Sequence, residues 1–395
     1  MQTANKTQSR LYHLHVILVT ALIIGIASSH RLWIGTSRSF PAIGLIDGLS
    51  IAGPITDYLV PFLLIVALVS SIVSKRPRLY LIAAIVLILL LATLDQNRLQ
   101  PWVYQYLLML SALSCYSGRS LDQMAADVCL ATNQLIIAAL YFWGGIQKLN
   151  WAFSHDVIPS LLEPYIGRLS HLTTIGTGLA ICEALIGIGL LIQRTRTIAI
   201  VSAIGMHLLI LIFLISTNQN SIVWPWNISM MIMLPLLFWR TRTNVWKRLL
   251  SLNKGDIKSH FAKVVFLVCG LLPALSFIGL WDMYLSAALY SGNTPVAVVH
   301  LSDQVRNRLP LPAQSQVFTT KRGELMLPLY EWSMAELNVP PYPETRVYRK
   351  LTRHLCRYAE DPREVELILK EKPAIFTGKY AVNKIDCSNL IPLTQ

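Results

Sequence analysis

Charge is what this chain has least of. Only 14% of its 395 residues are Asp, Glu, Lys or Arg, against roughly a quarter in soluble globular domains. With 54% hydrophobic residues and a mean hydropathy of +0.50, that shortage excludes an ordinary soluble enzyme and points to a bilayer. Acidic residues are scarcer still, 21 against 34 basic, leaving a net charge of +13. Cysteine is sparse too: there are six and no CxxC pair, which excludes a thioredoxin-like redox centre. The nine histidines are scattered, and His13 and His15 point to different helix faces, so no metal site is expected.

What is present is a series of long apolar runs. Crossing about 30 Å of hydrocarbon takes roughly 17–25 residues. Nine segments qualify, some at the short limit: 11–29, 56–74, 79–94, 100–115, 129–149, 172–192, 197–216, 221–239 and 261–281. With the N-terminus inside, the inner loops collect Lys6, Arg10, Lys75, Arg76, Arg78, Arg119, Arg194 and Arg196. Arg240, Arg242, Lys247, Arg248, Lys254 and Lys258 join them. The outer loops hold only Arg31, Arg38, Arg98 and Arg168. This asymmetry is the positive-inside signature, and it accounts for the basic charge without a nucleic-acid partner. A lipid-binding patch at 240–258 is a second reading of the last basic cluster. The first segment also reads as a cleavable signal peptide, with Lys6 and Arg10 before the apolar stretch and small residues near Gly25 and Ala27. The remaining topology is the same either way.

From about residue 290 the chain is mixed, charged and proline-rich. "PVAVVHL" and "EVELIL" predict strands, and "YPETRVYRKLTRHLCRYA" predicts a helix entered through Pro343 and Glu344. The expectation is an all-α polytopic protein of the inner cell membrane over residues 1–285, carrying a small outward-facing α+β domain at 290–395. Cys115, Cys129, Cys182 and Cys269 lie in or beside spans and read as packing residues. Cys356 and Cys387, alone in the outer, oxidising compartment, are expected to pair.

An ionisable group at membrane depth is a functional candidate by default. In "LYFWGGIQKLNW", Lys148 closes the fifth span. Gln134, Tyr141 and Lys148 are seven apart and share a face, and Gly144 notches it. This reads as a cavity wall, or Lys148 simply snorkels to the headgroups. In the next two spans, Glu183 and His207 stand about 11 and 12 residues from one tight turn. At about 1.5 Å per residue both lie roughly 17–19 Å from it. They are expected to pair across the interface, as a proton relay or as a structural hydrogen bond. Pro225 kinks the start of the eighth span, and Asn227 offers donors and acceptors two turns below the surface. In "LDQNRLQPWVYQY", Asp95 and Arg98 form a turn before Pro101, flanked by interfacial Trp102, Tyr104 and Tyr106. Arg98 either belongs to that turn or greets an anionic headgroup or substrate.

"YFWGGIQKLN" resembles the stretch of the vitamin K-dependent gamma-carboxylase family that carries the catalytic lysine, with Lys148 in its place. Glu183, the RTR of the following turn and His207 extend a pattern similar to the bacterial HTTM membrane domains, over roughly residues 11–285. The resemblance implies nine spans, N-terminus inside and C-terminus outside. It also implies a lysine base that deprotonates a reduced quinone, vitamin K-like, ahead of oxygen-driven carboxylation of a glutamate. The outer domain is shorter than that enzyme's luminal part, which sets peptide carboxylation apart from quinone binding. DoxX- and MauE-like proteins share a similar lysine helix followed by a membrane glutamate, and imply maturation or assembly without catalysis. Three classes therefore stand: a quinone- or lipid-linked enzyme using Lys148, Glu183 and His207, a maturation factor, and a transporter. The expected ligand contacts are Gln134, Tyr141, Gly144, Asn227 and Arg98.

Overall fold

The computed structural model describes residues 2–46, 53–116, 123–167, 171–218, 220–241, 245 and 257–390. Arg119, Arg168, Arg242, Lys247, Arg248 and Lys254 lie outside the described residues, as does most of the 240–258 patch. Helices run α1 (Gln2–Ser28), α2 (His30–Trp33), α3 (Pro54–Val73), α4 (Pro77–Leu94), α5 (Pro101–Tyr116) and α6 (Gln123–Lys148). A π turn at Phe153–Val157 leads into α7 (Ile158–Ile166), followed by α8 (Leu172–Leu191), α9 (Arg196–Ser216), α10 (Val223–Phe238) and α11 (Ile257–Val265). Proline opens α3, α4 and α5, where its missing N–H and fixed φ cost nothing. After α11 the helix continues as π (Phe266–Leu271) and then 3-10 (Leu272–Ile278). The change falls at Pro273, which cannot donate to the preceding turn.

Among the described residues, six helical stretches are long and apolar enough to cross a membrane: Lys6–Ser28, Pro77–Leu94, Gln123–Lys148, Leu172–Leu191, Arg196–Ser216 and His260–Ile278. The three other expected spans are helices as well, but their apolar parts are shorter: Asp57–Val73, the 16-residue α5 and Val223–Phe238. The chain is a mostly helical, membrane-type protein.

Beyond Val296 lies a five-stranded antiparallel sheet ordered β2-β3-β1-β4-β5. Its strands are β1 (Val296–Leu301), β2 (Phe318–Thr319), β3 (Leu325–Pro328), β4 (Val365–Lys370) and β5 (Val382–Asp386). Alternation buries one face: Val299 stands opposite Leu327 on one side and Leu367 on the other, and all three are buried. Helices α12 (Leu329–Leu337) and α13 (Thr345–Leu355) pack with the sheet, and α13 buries Val347, Leu351 and Leu355. Cys356, just after α13, is bonded to Cys387, just after β5, with Cα atoms 5.8 Å apart and a sequence separation of 31. Replacing Cys387 by serine is expected to lower the domain's stability by about 3–4 kcal/mol through chain entropy. Thermal unfolding with and without reductant measures this, and coincident curves would refute it.

The two parts are fastened by buried polar contacts. The Glu336 carboxylate of α12 accepts from Ser39 Oγ at 2.8 Å, Phe40 N at 3.0 Å and Trp332 Nε1 at 3.0 Å. Gln96 donates to Glu344 at 2.8 Å, Tyr342 N to Asn97 Oδ1 at 2.9 Å, and Gln100 to Pro340 O at 3.0 Å. The 95–100 turn is thus the seat of the C-terminal, sheet-bearing part. Asp95 pairs with Arg38 rather than with Arg98, and also accepts from Ile43 N and Asn97 N.

Candidate functional site

Helices α6 and α8 cross in close contact because glycine stands on both sides of the crossing. A Cβ on Gly145 would meet Ala184 N at 2.3 Å and Ala180 O at 2.5 Å. A Cβ on Gly187 would meet Phe142 N at 2.5 Å and Ala138 O at 2.6 Å. Backbone touches backbone, as small-residue interfaces permit.

This proximity brings Lys148 of α6 to Glu183 of α8. Lys148 Nζ donates to Glu183 Oε2 at 2.7 Å, with the two side chains 17% and 16% exposed. The direction follows from helix geometry. Cα–Cβ bonds tilt toward the N-terminus, so a lysine in the last turn of α6 leans back along its own helix. Gly144, one turn earlier, makes the space: a Cβ there would lie 2.7 Å from Glu183 Oε1 and 3.8 Å from Lys148 Nζ. The expected notch is real, and the Glu183 carboxylate occupies it.

The second half of the site is a buried hydrogen-bond chain. His207 Nδ1 and Asn227 Oδ1 are 2.7 Å apart, and Asn227 Nδ2 donates to Val223 O at 2.7 Å. With its amide nitrogen engaged, Asn227 presents its oxygen, so His207 Nδ1 carries the donated proton. His207 Nε2 is then the acceptor for Tyr141 OH, 2.5 Å away. A neutral imidazole held in one tautomer between a phenol and an amide satisfies all three groups without a charge.

Five of the expected residues come together here: Lys148, Glu183, His207, Tyr141 and Asn227, with Gly144 as the notch. The expected pairing among them is corrected. Glu183 bonds Lys148, while His207 bonds Tyr141 and Asn227. Equal distance from a tight turn set the level of Glu183 and His207 but not their rotation. An ammonium satisfies a carboxylate better than an imidazole that already has two partners.

Two expected ligand contacts lie elsewhere. Gln134 is 14 residues from Lys148, about 21 Å along the helix. It donates to Leu237 O at 2.6 Å and Thr241 Oγ1 at 3.3 Å, tying off the end of α10. Arg98 is buried and gives its guanidinium to three backbone carbonyls: Leu32 at 3.0 Å, Leu91 at 2.7 Å and Trp33 at 3.1 Å. It seals the helix ends of α2 and α4. The seven-residue spacing that linked Gln134 to Lys148 reports a common face, not a common site.

One residue beside the site was not anticipated. Gln147 donates to Ser276 Oγ at 2.7 Å and accepts from Asn293 Nδ2 at 2.7 Å, joining α6 to the last helical stretch and to the segment that leads into β1. Its position next to Lys148 was visible in the sequence. Its partners, 129 and 146 residues away, were not.

No family model, curated protein or solved structure matches this chain.

Proposed function

We propose that this chain is a nine-span membrane protein, N-terminus inside and outer domain beyond the membrane, whose Lys148 acts as a base toward a quinone- or lipid-type ligand. The observation that carries the reading is the Lys148–Glu183 pair, 2.7 Å apart and held between spanning helices by a glycine notch. The similarity of "YFWGGIQKLN", Glu183 and His207 to the vitamin K-dependent gamma-carboxylase and HTTM pattern supports the same assignment.

The residues fit such a ligand. One of three Nζ donors is engaged by Glu183, leaving others for a ring oxygen. Apolar Leu179 and Leu185 are exposed on the same helix as Glu183, offering a surface to an isoprenoid or acyl tail. When bound, a reduced quinone supplies an acidic hydroxyl. Proton transfer from Lys148 to Glu183 along their contact yields a neutral amine and a neutral acid, the form of the pair that needs least solvation. That amine is the base. Tyr141, His207 and Asn227 form a neutral hydrogen-bond chain that fixes the imidazole tautomer.

A second reading, a DoxX- or MauE-like assembly factor, draws on the ties from Gln147 to Ser276 and Asn293, which make this end of α6 a structural junction. The discriminating experiment is mass spectrometry of the lipid extract from protein purified in mild detergent. The enzyme reading expects a quinone or isoprenoid lipid with the wild type and its loss, at least tenfold, from a monodisperse Lys148→Met variant. A wild-type extract holding only bulk phospholipid rejects the enzyme reading in favour of the assembly factor.

A further inference from the structure

The turn joining β4 to β5 carries the most exposed large apolar side chain recorded among the described residues. Phe376 is 88% exposed, with Tyr380 at 46% on the same turn. The turn is well ordered internally: Ala374 N donates to Lys379 O at 2.7 Å, and Gly378 N to Ala374 O at 2.9 Å. A fixed loop that holds a phenyl ring in water needs a reason.

Its supports supply one. Trp151 N, three residues past the end of α6, donates to Ile375 O at 2.7 Å. Gly378, at φ +64°, lies flat against the Trp151 ring, where a Cβ would come within 2.1 Å. Lys372 Nζ donates to Ser276 O at 2.7 Å and Phe277 O at 3.3 Å, capping the end of the last spanning stretch. The hairpin therefore stands on the ends of two membrane-length helices at once. Around those feet Trp151, Ile278 and Leu280 are exposed, and Lys379 is exposed beside Phe376. Apolar and aromatic side chains with a lysine at the level where spanning helices end match the interfacial zone of a bilayer, where the ring enters the acyl boundary and the amine meets phosphate.

We infer that the 371–381 hairpin is a membrane-contacting finger of the outer domain, with Phe376 inserted among the lipids of the adjoining leaflet. Its occupant is phospholipid, because the turn is continuous with the helix ends that phospholipid already surrounds. The inference rests on the membrane reading of the chain and not on any chemistry at Lys148.

The test places p-benzoylphenylalanine singly at positions 376, 151 and 363 of the full chain in phosphatidylcholine nanodiscs. Arg363 precedes β4, at the opposite end of a six-residue strand, about 20 Å from the hairpin. After irradiation, mass spectrometry is expected to find lipid adducts at 376 and 151, at least tenfold above 363. Adducts at 151 without adducts at 376 overturn the inference, as does equal labelling at 376 and 363. A cross-linked dimer from position 376 in place of lipid adducts assigns the surface to a second copy and overturns it too. Absence of adducts at all three positions removes the membrane reading on which the finger depends.

Discussion

Gly145→Ala is expected to abolish accumulation of folded protein. The added Cβ would sit 2.3 Å from Ala184 N and 2.5 Å from Ala180 O, and both are backbone atoms of a helix that cannot rotate away. Overpacking a well-fitted interior costs about 1–3 kcal/mol where side chains can move aside. Here only separation of α6 from α8 relieves the clash, and that also breaks the Gly187 contact with Phe142 and Ala138. The loss is therefore expected above about 3 kcal/mol, a large part of the roughly 5–15 kcal/mol that holds a typical domain together. Gly178→Ala and Gly205→Ala are the controls. No atom lies within 4 Å of a Cβ at either position, so helix propensity alone acts and leaves stability equal or up to about 1 kcal/mol higher. Size-exclusion profiles and thermal midpoints of the three variants decide. A Gly145→Ala protein with the wild-type midpoint would sink the close-crossing account.

The same glycines show how far the sequence could be read. Gly144 and Gly145 mark a close approach in any apolar helix, and Gly144 was legible as a notch because it shares a face with Tyr141 and Lys148. What entered the notch was not legible, because Glu183 belongs to another helix whose rotation no local pattern records. Level was predictable from residue count, as 1.5 Å per residue is a property of every α-helix. Azimuth depends on packing partners and was missed, hence the expected Glu183–His207 pair. Arg98 shows a related limit. A lone arginine near a helix end looks available to anions, yet Leu32, Leu91 and Trp33 present carbonyls that only the fold converges on it. In the C-terminal part β1, β4 and α13 stood out by alternation and by a charged helical face. β2, at two residues, is too short to show a period, and β5 is largely exposed and lacks the apolar alternation that betrays a strand. The Cys356–Cys387 bridge was the simplest inference, since two cysteines in one compartment allow only one pairing.

Lys148→Met and Glu183→Gln are each expected to destabilise the protein by on the order of 3 kcal/mol, while the double variant loses much less than the sum. Removing one partner of a mostly buried ion pair strands the other charge, and measured penalties for that run about 3–5 kcal/mol. The lower end applies because the side chains keep 17% and 16% of their exposure. Removing both leaves no stranded charge, so the coupling between them is expected near 2 kcal/mol, inside the range for contacting residues. Tyr141→Phe supplies the independent axis. Its hydroxyl partner is His207, not Glu183, so combining it with Lys148→Met is expected to add within about 0.5 kcal/mol. Chemical denaturation in mixed micelles, followed by tryptophan fluorescence, measures the wild type and all five variants on one scale. Strict additivity of Lys148→Met and Glu183→Gln would mean the two groups do not depend on one another. Lys148 would then be a lysine that reaches for the headgroups, and the glycine beside it no more than a packing residue.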